Sequence, residues 1–187
     1  MRDGGWQSTI GHDLAGHTLG LLGLGRIGSQ VASIGRAFGM DVVAWSRSLT
    51  PERAAESGAR AASLDEVLTT ADVVSVHLVL AASTRGLVGE RELALMRPDA
   101  LLVNTSRGPI VDEAGLLAAL ERGHLGGVGL DVFDEEPLRP DHPLRTAPRT
   151  LLTPHLGYVT RDVYATFFAG VVEDVAAYLD GSPVRTL

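Results

Sequence analysis

An apolar run, Thr18 to Leu22, leads directly into Gly23-Leu24-Gly25-Arg26-Ile27-Gly28 and then into a segment with helical periodicity that reaches Phe38 and stops at Gly39. Few local features restrict a chain more. A strand that turns at once into a helix needs Gly23 for the tight turn, Gly25 so that a ligand can approach the backbone, and Gly28 so that the helix can lie close on the strand. The helix N-terminus then offers free N–H groups and partial positive charge, the arrangement that suits phosphate. The loop therefore predicts a dinucleotide whose pyrophosphate sits over Gly23, Gly25, Arg26, Ile27 and Gly28.

The rest of the chain continues the alternation. Apolar runs are expected as strands at Thr18 to Leu22, Asp41 to Trp45, Val73 to Leu78, Ala100 to Asn104, Gly127 to Val132 and Thr150 to Leu152. Helical signals lie between them. Pro51 can open a helical turn, Ser63 with Glu66 makes a capping box, and Asp112 caps a helix through Leu116, Leu117 and Leu120 that Gly123 closes. Such alternation specifies a doubly wound α/β fold of the Rossmann type, with a parallel sheet buried on both faces. The proline-rich stretch from Arg139 to Arg149 reads as a surface loop. A last helix, from about Arg161 to Leu179, carries Val163, Phe167, Val171, Val175 and Leu179 on one stripe, which needs a partner.

Composition narrows the chemistry. Of 187 residues none is cysteine, and all sixteen basic residues are arginine. Disulfides, thiolate metal sites, cysteine nucleophiles, lysine Schiff bases and a phosphate loop ending in Lys-Ser/Thr are all excluded. A net charge of -7 indicates neither a nucleic-acid footprint nor a polybasic membrane patch. There is no run of about 18 apolar residues to span a bilayer and no leader of the secretory type, so a cytoplasmic protein is expected. No clustering of His, Asp and Glu suggests a metal. His77 reads as a packed histidine, and His12, His17, His124 and His142 as surface or turn residues.

The second strand ends in Trp45-Ser46-Arg47-Ser48, without the acidic residue that grips the adenosine ribose about 20 residues past the glycine loop. Ser46 stands at that position. It removes a carboxylate that would repel a 2′-phosphate, and Arg47 beside it can pair with one, which favours NADP over NAD. Arg47 as a solvated surface residue is the alternative.

In open α/β sheets the ligand lies beyond the carboxyl ends of the strands. Three charged or titratable residues sit just past strand ends: Arg107 in Asn104-Thr105-Ser106-Arg107-Gly108, Glu136 in Asp131-Val132-Phe133-Asp134-Glu135-Glu136-Pro137, and His155 in Thr153-Pro154-His155-Leu156-Gly157. Hydride delivery from a nicotinamide to a carbonyl carbon builds negative charge on oxygen that must be stabilised and then protonated. An arginine fork suits the first task, and a histidine beside a carboxylate suits the second. Each also has a bland reading, as a carbonyl partner, one more acid in an acidic turn, and a packed strand-end histidine.

These segments, taken in order with the glycine loop, resemble the signature motifs of the D-isomer-specific 2-hydroxyacid dehydrogenases over nearly the whole chain. The resemblance implies that Arg107 binds the substrate carboxylate and polarises the keto oxygen, His155 is the general acid/base, and Glu136 orients His155. It further implies that Asp131 bonds the nicotinamide carboxamide, with Thr84, Thr105, Ser106 and Gly157 as additional cofactor contacts. The related formate dehydrogenases carry Gln-Pro where this chain has Glu136-Pro137, so Glu136 points to 2-oxo acids such as glyoxylate, hydroxypyruvate or pyruvate.

By the same resemblance, residues 1–13 are an interdomain linker entered through Gly4-Gly5-Trp6-Gln7, residues 14–157 the dinucleotide domain, and residues 158–187 a crossover helix that belongs with a substrate domain not present in this sequence. A homodimer is implied. A cofactor-binding or scaffold module without turnover is the second reading.

Overall fold

The structure, a computed structural model, describes Gly4, Trp6 and residues 10–186. Within the stretch read as the entry to the cofactor domain, Gly5 and Gln7 lie outside the described residues. Two compact units make up the chain, Met1–Pro154 and His155–Leu187.

The first unit runs β1 (Thr18–Leu22), α1 (Arg26–Ala37), β2 (Asp41–Trp45), α2 (Pro51–Glu56), β3 (Arg60–Ala61), α3 (Leu64–Thr70), β4 (Val73–Val76), α4 (Glu90–Leu95), β5 (Leu101–Asn104), α5 (Glu113–Glu121), β6 (Gly127–Leu130) and β7 (Thr150–Leu152). The seven strands form one sheet in the order β3-β2-β1-β4-β5-β6-β7. Every pairing is parallel. The order reverses between β1 and β4, so a crevice opens at the carboxyl ends of those two strands, where such sheets bind ligands. The α/β expectation holds.

The strands are apolar because both faces are covered. Leu21 and Leu22 of β1, Val74 and Val76 of β4 and Leu102 of β5 are all 0% exposed, and Leu68, Leu93 and Leu120 from the helices close over them. Each such side chain contributes about 1.5–3 kcal/mol on burial, as an upper bound. Against the sheet, α1 turns its small residues Gly28, Ala32 and Gly35. A Cβ on Gly35 would stand 2.6 Å from Leu19 Cδ2, so a larger residue there would have to displace the end of the Leu19 side chain.

Several expectations are corrected. The sheet has a seventh strand, β3, whose two residues are too few to produce a period. β4 and β6 end at Val76 and Leu130, short of Leu78 and Val132. The ladder continues for one more residue through His77 N–H to Leu22 O at 2.8 Å and Asp131 N–H to Asn104 O at 3.0 Å, after which both chains peel away over the strand ends. At α3 the Ser63 hydroxyl accepts the Glu66 N–H, but the Glu66 carboxylate pairs with Arg60, so only half of the capping box forms. The proline-rich loop is anchored: Leu144 is 1% exposed, and His142 accepts Leu144 N–H at Nδ1 while its Nε2 lies 3.0 Å from Glu113. His142, read as a surface or turn residue, lies in the turn, with a side chain only 12% exposed.

The second unit is dominated by α6 (Arg161–Leu179), capped by the Thr160 hydroxyl accepting the Val163 N–H. No residue of α6 is buried. Phe168, Val172 and Leu179 are 66%, 69% and 77% exposed, and Tyr164 stacks on Phe168 at 5.9 Å between ring centroids. Among the described residues, no helix is long and apolar enough to cross a membrane.

Candidate active site at the strand ends

Gly23 adopts φ +103, and a Cβ there would lie 2.8 Å from the carbonyl carbon of His77. Gly28 is tighter still, since its Cβ would meet Gly23 O at 2.1 Å. Gly25 behaves differently: nothing lies within 4 Å of where its Cβ would be. Two glycines are thus required by the fold itself, and the third leaves open space on the outer side of the turn. No side chain caps the N-terminus of α1, whose first N–H groups remain available to an acceptor from outside. The cradle fits a dinucleotide pyrophosphate.

At the end of β2, Ser46 Oγ accepts the Leu24 N–H at 2.9 Å, so this hydroxyl braces the glycine loop from behind. Arg47 is exposed and reaches Ser83 O only at 3.5 Å, which leaves its charge accessible. Thr84 lies in the loop past β4, where its hydroxyl accepts the Ala81 N–H at 2.8 Å and donates to Val79 O at 2.7 Å. His77 packs beside Ser75, Oγ to Nε2 2.9 Å, and burial holds its pKa below the ordinary 6.5.

Past β5 the loop carrying Arg107 is tied closely. Ser106 donates its hydroxyl to Leu78 O, and Arg107 Nη1 donates to Ser106 O at 2.6 Å. Thr105 and the Arg107 side chain are exposed, and among the described residues the Arg107 guanidinium forms no ion pair. Past β6, Asp131 is 6% exposed and accepts the Thr153 hydroxyl at Oδ1. Glu136 Oε1 accepts the Phe133 N–H at 2.9 Å, and the Glu136–Pro137 peptide is cis. In the same turn, Asp134 has a pKa raised by burial, with Asp112 adding to the effect and Arg85 and His142 opposing it.

The first unit therefore brings Arg107, Asp131 and Glu136 to the carboxyl ends of neighbouring strands, on the same edge as the glycine loop. His155 and Gly157 belong to the second unit. There His155 has φ +51 and its ring meets Tyr158 edge-on at 5.7 Å. Asn104, buried at the end of β5, is the residue that sequence reasoning passed over. Its only signal is an amide closing the apolar run Ala100-Leu101-Leu102-Val103. Among the described residues, no group of three or more His, Asp or Glu is placed to hold a metal.

Comparison with known proteins decides the lineage. The model of the D-isomer specific 2-hydroxyacid dehydrogenase NAD-binding domain matches residues 1–157. The chain belongs to that family. A glyoxylate reductase of Aeropyrum pernix is 45% identical over 179 residues, covering 95% of this chain and 53% of the relative. A D-3-phosphoglycerate dehydrogenase of Bacillus subtilis is 43% identical over 183 residues, 97% of this chain and 35% of its own length. The crystal structure of a phosphoglycerate oxidoreductase from Vibrio cholerae superposes with a TM-score of 0.90 at 36% identity, over 96% of this chain and 59% of that one. The chain thus spans between about a third and three-fifths of the length of these relatives.

Proposed function

We propose that this domain serves an oxidoreductase that transfers hydride between NADPH and a small 2-oxo acid, glyoxylate or hydroxypyruvate in class, to give the D-2-hydroxy acid. The observation that carries the reading is the placement of an exposed arginine, Arg107, and two carboxylates, Asp131 and Glu136, at adjacent strand ends on the edge that holds the glycine cradle. Gly23, Gly25, Arg26, Ile27 and Gly28 would hold the pyrophosphate. Ser46 and Arg47 would sit at the adenosine ribose, where Arg47 favours a 2′-phosphate. Asp131 would accept from the nicotinamide carboxamide, and Thr84, Thr105, Ser106 and Gly157 would line the remainder.

When bound, the nicotinamide supplies the hydride. Arg107 would bind the substrate carboxylate through its fork and stabilise the charge that develops on the 2-oxo oxygen. His155 would deliver the proton to that oxygen as general acid/base, and Glu136 would orient His155. We place residues 1–13 as linker, 14–157 as the dinucleotide domain and 158–187 as a crossover element serving a substrate domain. The exposed stripe of α6 is consistent with that division and with a homodimer.

A cofactor-binding module without turnover is the second reading. Following NADPH and NADH oxidation with a panel of 2-oxo acids separates the two. Turnover that disappears in His155→Ala supports the reductase. Cofactor binding without turnover supports the module, and absence of cofactor binding overturns both.

A further inference from the structure

We propose that Asn104 is the positioning residue for Arg107, holding the backbone on both sides of it so that the guanidinium meets a substrate carboxylate in one place. The inference rests on the substrate role proposed for Arg107 above.

Asn104 closes β5 and is 1% exposed, with Val76 of β4 and Leu130 of β6 as its neighbours across the sheet. A primary amide at such a position must have its donors and acceptor satisfied internally. It directs both ends into one turn. Oδ1 accepts the Ser106 N–H at 3.0 Å, and Nδ2 donates to the Arg107 carbonyl at 2.9 Å. One side chain thereby fixes the chain just before and just after the Arg107 Cα.

Two further contacts complete the clamp. The Ser106 hydroxyl donates to Leu78 O in the loop past β4. Gly108 packs directly on the backbone past β6, where a Cβ would come within 2.1 Å of the Phe133 carbonyl carbon. That same Phe133 donates its N–H to the Glu136 carboxylate. Three strand ends are therefore joined through the Arg107 loop, with Asn104 at its centre. The Arg107 side chain stays exposed, with its guanidinium donating from Nη1 to Ser106 O of the same clamped turn. A site of this kind works when its charged group is held within a fraction of an ångström, and loss of that support is felt in ligand binding before it is felt in the fold.

Two variants separate positioning from general structure. Asn104→Leu keeps the number and branching of the side-chain heavy atoms and removes both bonds. Asn104→Asp reproduces the acceptor and the donor only while protonated; once ionised it sets a negative charge against the Arg107 carbonyl. The full chain, labelled with ¹⁵N and saturated with NADPH, is titrated with oxalate, a dicarboxylate that mimics a 2-oxo acid. Ser106 amide exchange, the Arg107 Nε resonance and NADPH affinity are followed alongside, with Arg107→Leu as the control.

Oxalate is expected to move the Arg107 Nε signal in the natural chain and to bind roughly ten- to a hundredfold more weakly to Asn104→Leu, with any loss of NADPH affinity, through Ser106, clearly smaller than the loss for oxalate. In Asn104→Asp, oxalate affinity and slow Ser106 exchange should both return as pH falls, beyond any trend in the natural chain. Natural oxalate affinity in Asn104→Leu, an equal loss of NADPH affinity, or no acid recovery in Asn104→Asp overturns the proposal. Failure of oxalate to perturb Arg107 in the natural chain instead refutes the substrate role of Arg107. In that case Ser106 exchange and the Arg107 Nε resonance across the Asn104→Asp pH series still decide whether Asn104 holds the loop.

Discussion

Replacing Gly25 and Gly28 separately by alanine should divide ligand binding from folding at the glycine loop. At Gly28 the new methyl would meet Gly23 O at 2.1 Å, where contacts under 3.0 Å are essentially never seen, so α1 or the turn must give by about 1 Å. Overpacking of that kind costs about 1–3 kcal/mol, or roughly 3–10 °C in Tm for a chain of this size. At Gly25 the methyl would enter space with nothing within 4 Å, and the residue's φ of -89 is one that alanine adopts freely. Stability should change by no more than about 1 kcal/mol. The dinucleotide phosphates are expected in that same space. Displacing one charge-assisted hydrogen bond there costs about 1.5–3 kcal/mol, or roughly ten- to 150-fold in affinity. Thermal melts of the apoprotein and calorimetric titration with NADPH measure the two effects. Equal Tm losses in the two variants, or natural affinity in Gly25→Ala, would refute the division.

Other expectations can be checked with the same material. Burial holds the His77 pKa below 6.5, so the unfolded chain takes up its proton first. Its effect on stability is absent above about pH 6.5 and becomes a growing loss as pH falls from there toward the folded-state value. Melts between about pH 8 and pH 5 should show a decline that His77→Gln flattens, and parallel profiles would exclude the effect. Arg47→Asp should weaken NADPH binding by roughly ten- to a hundredfold and strengthen NADH binding, and an unchanged ratio in calorimetry would remove Arg47 from the ribose site. The exposed face of α6 should drive association with a second copy in sedimentation experiments, and Val172→Glu should abolish it; a monomer at high concentration in the natural chain would contradict this.

Much of the fold could be read from the sequence, because its main determinants are local. β1, β2 and β7 begin and end where their apolar runs do, and Ser63, Asp112 and Thr160 cap helices through bonds to N–H groups three residues on. What escaped reading was short or arose from distant contacts. β3 is two residues long and exists only because Val43 and Ala44 present a free edge. α4 starts from Gly89, which has no side chain to cap with, and buries only Leu93. The cover over His142 comes from Glu113, far away in the chain, which no local pattern reveals.

The site divides in the same way. The glycine spacing, the missing acid at Ser46 and the order of Arg107, Glu136 and His155 are properties of the sequence, since each depends on which residue follows which. That Ser46 turns inward to Leu24, that Gly25 alone of the glycine triad faces open space, and that Asn104 clamps the Arg107 loop are decided by the tertiary structure. Those facts depend on which backbone groups of distant strands come within hydrogen-bonding reach of one another, and only the packed sheet sets that distance.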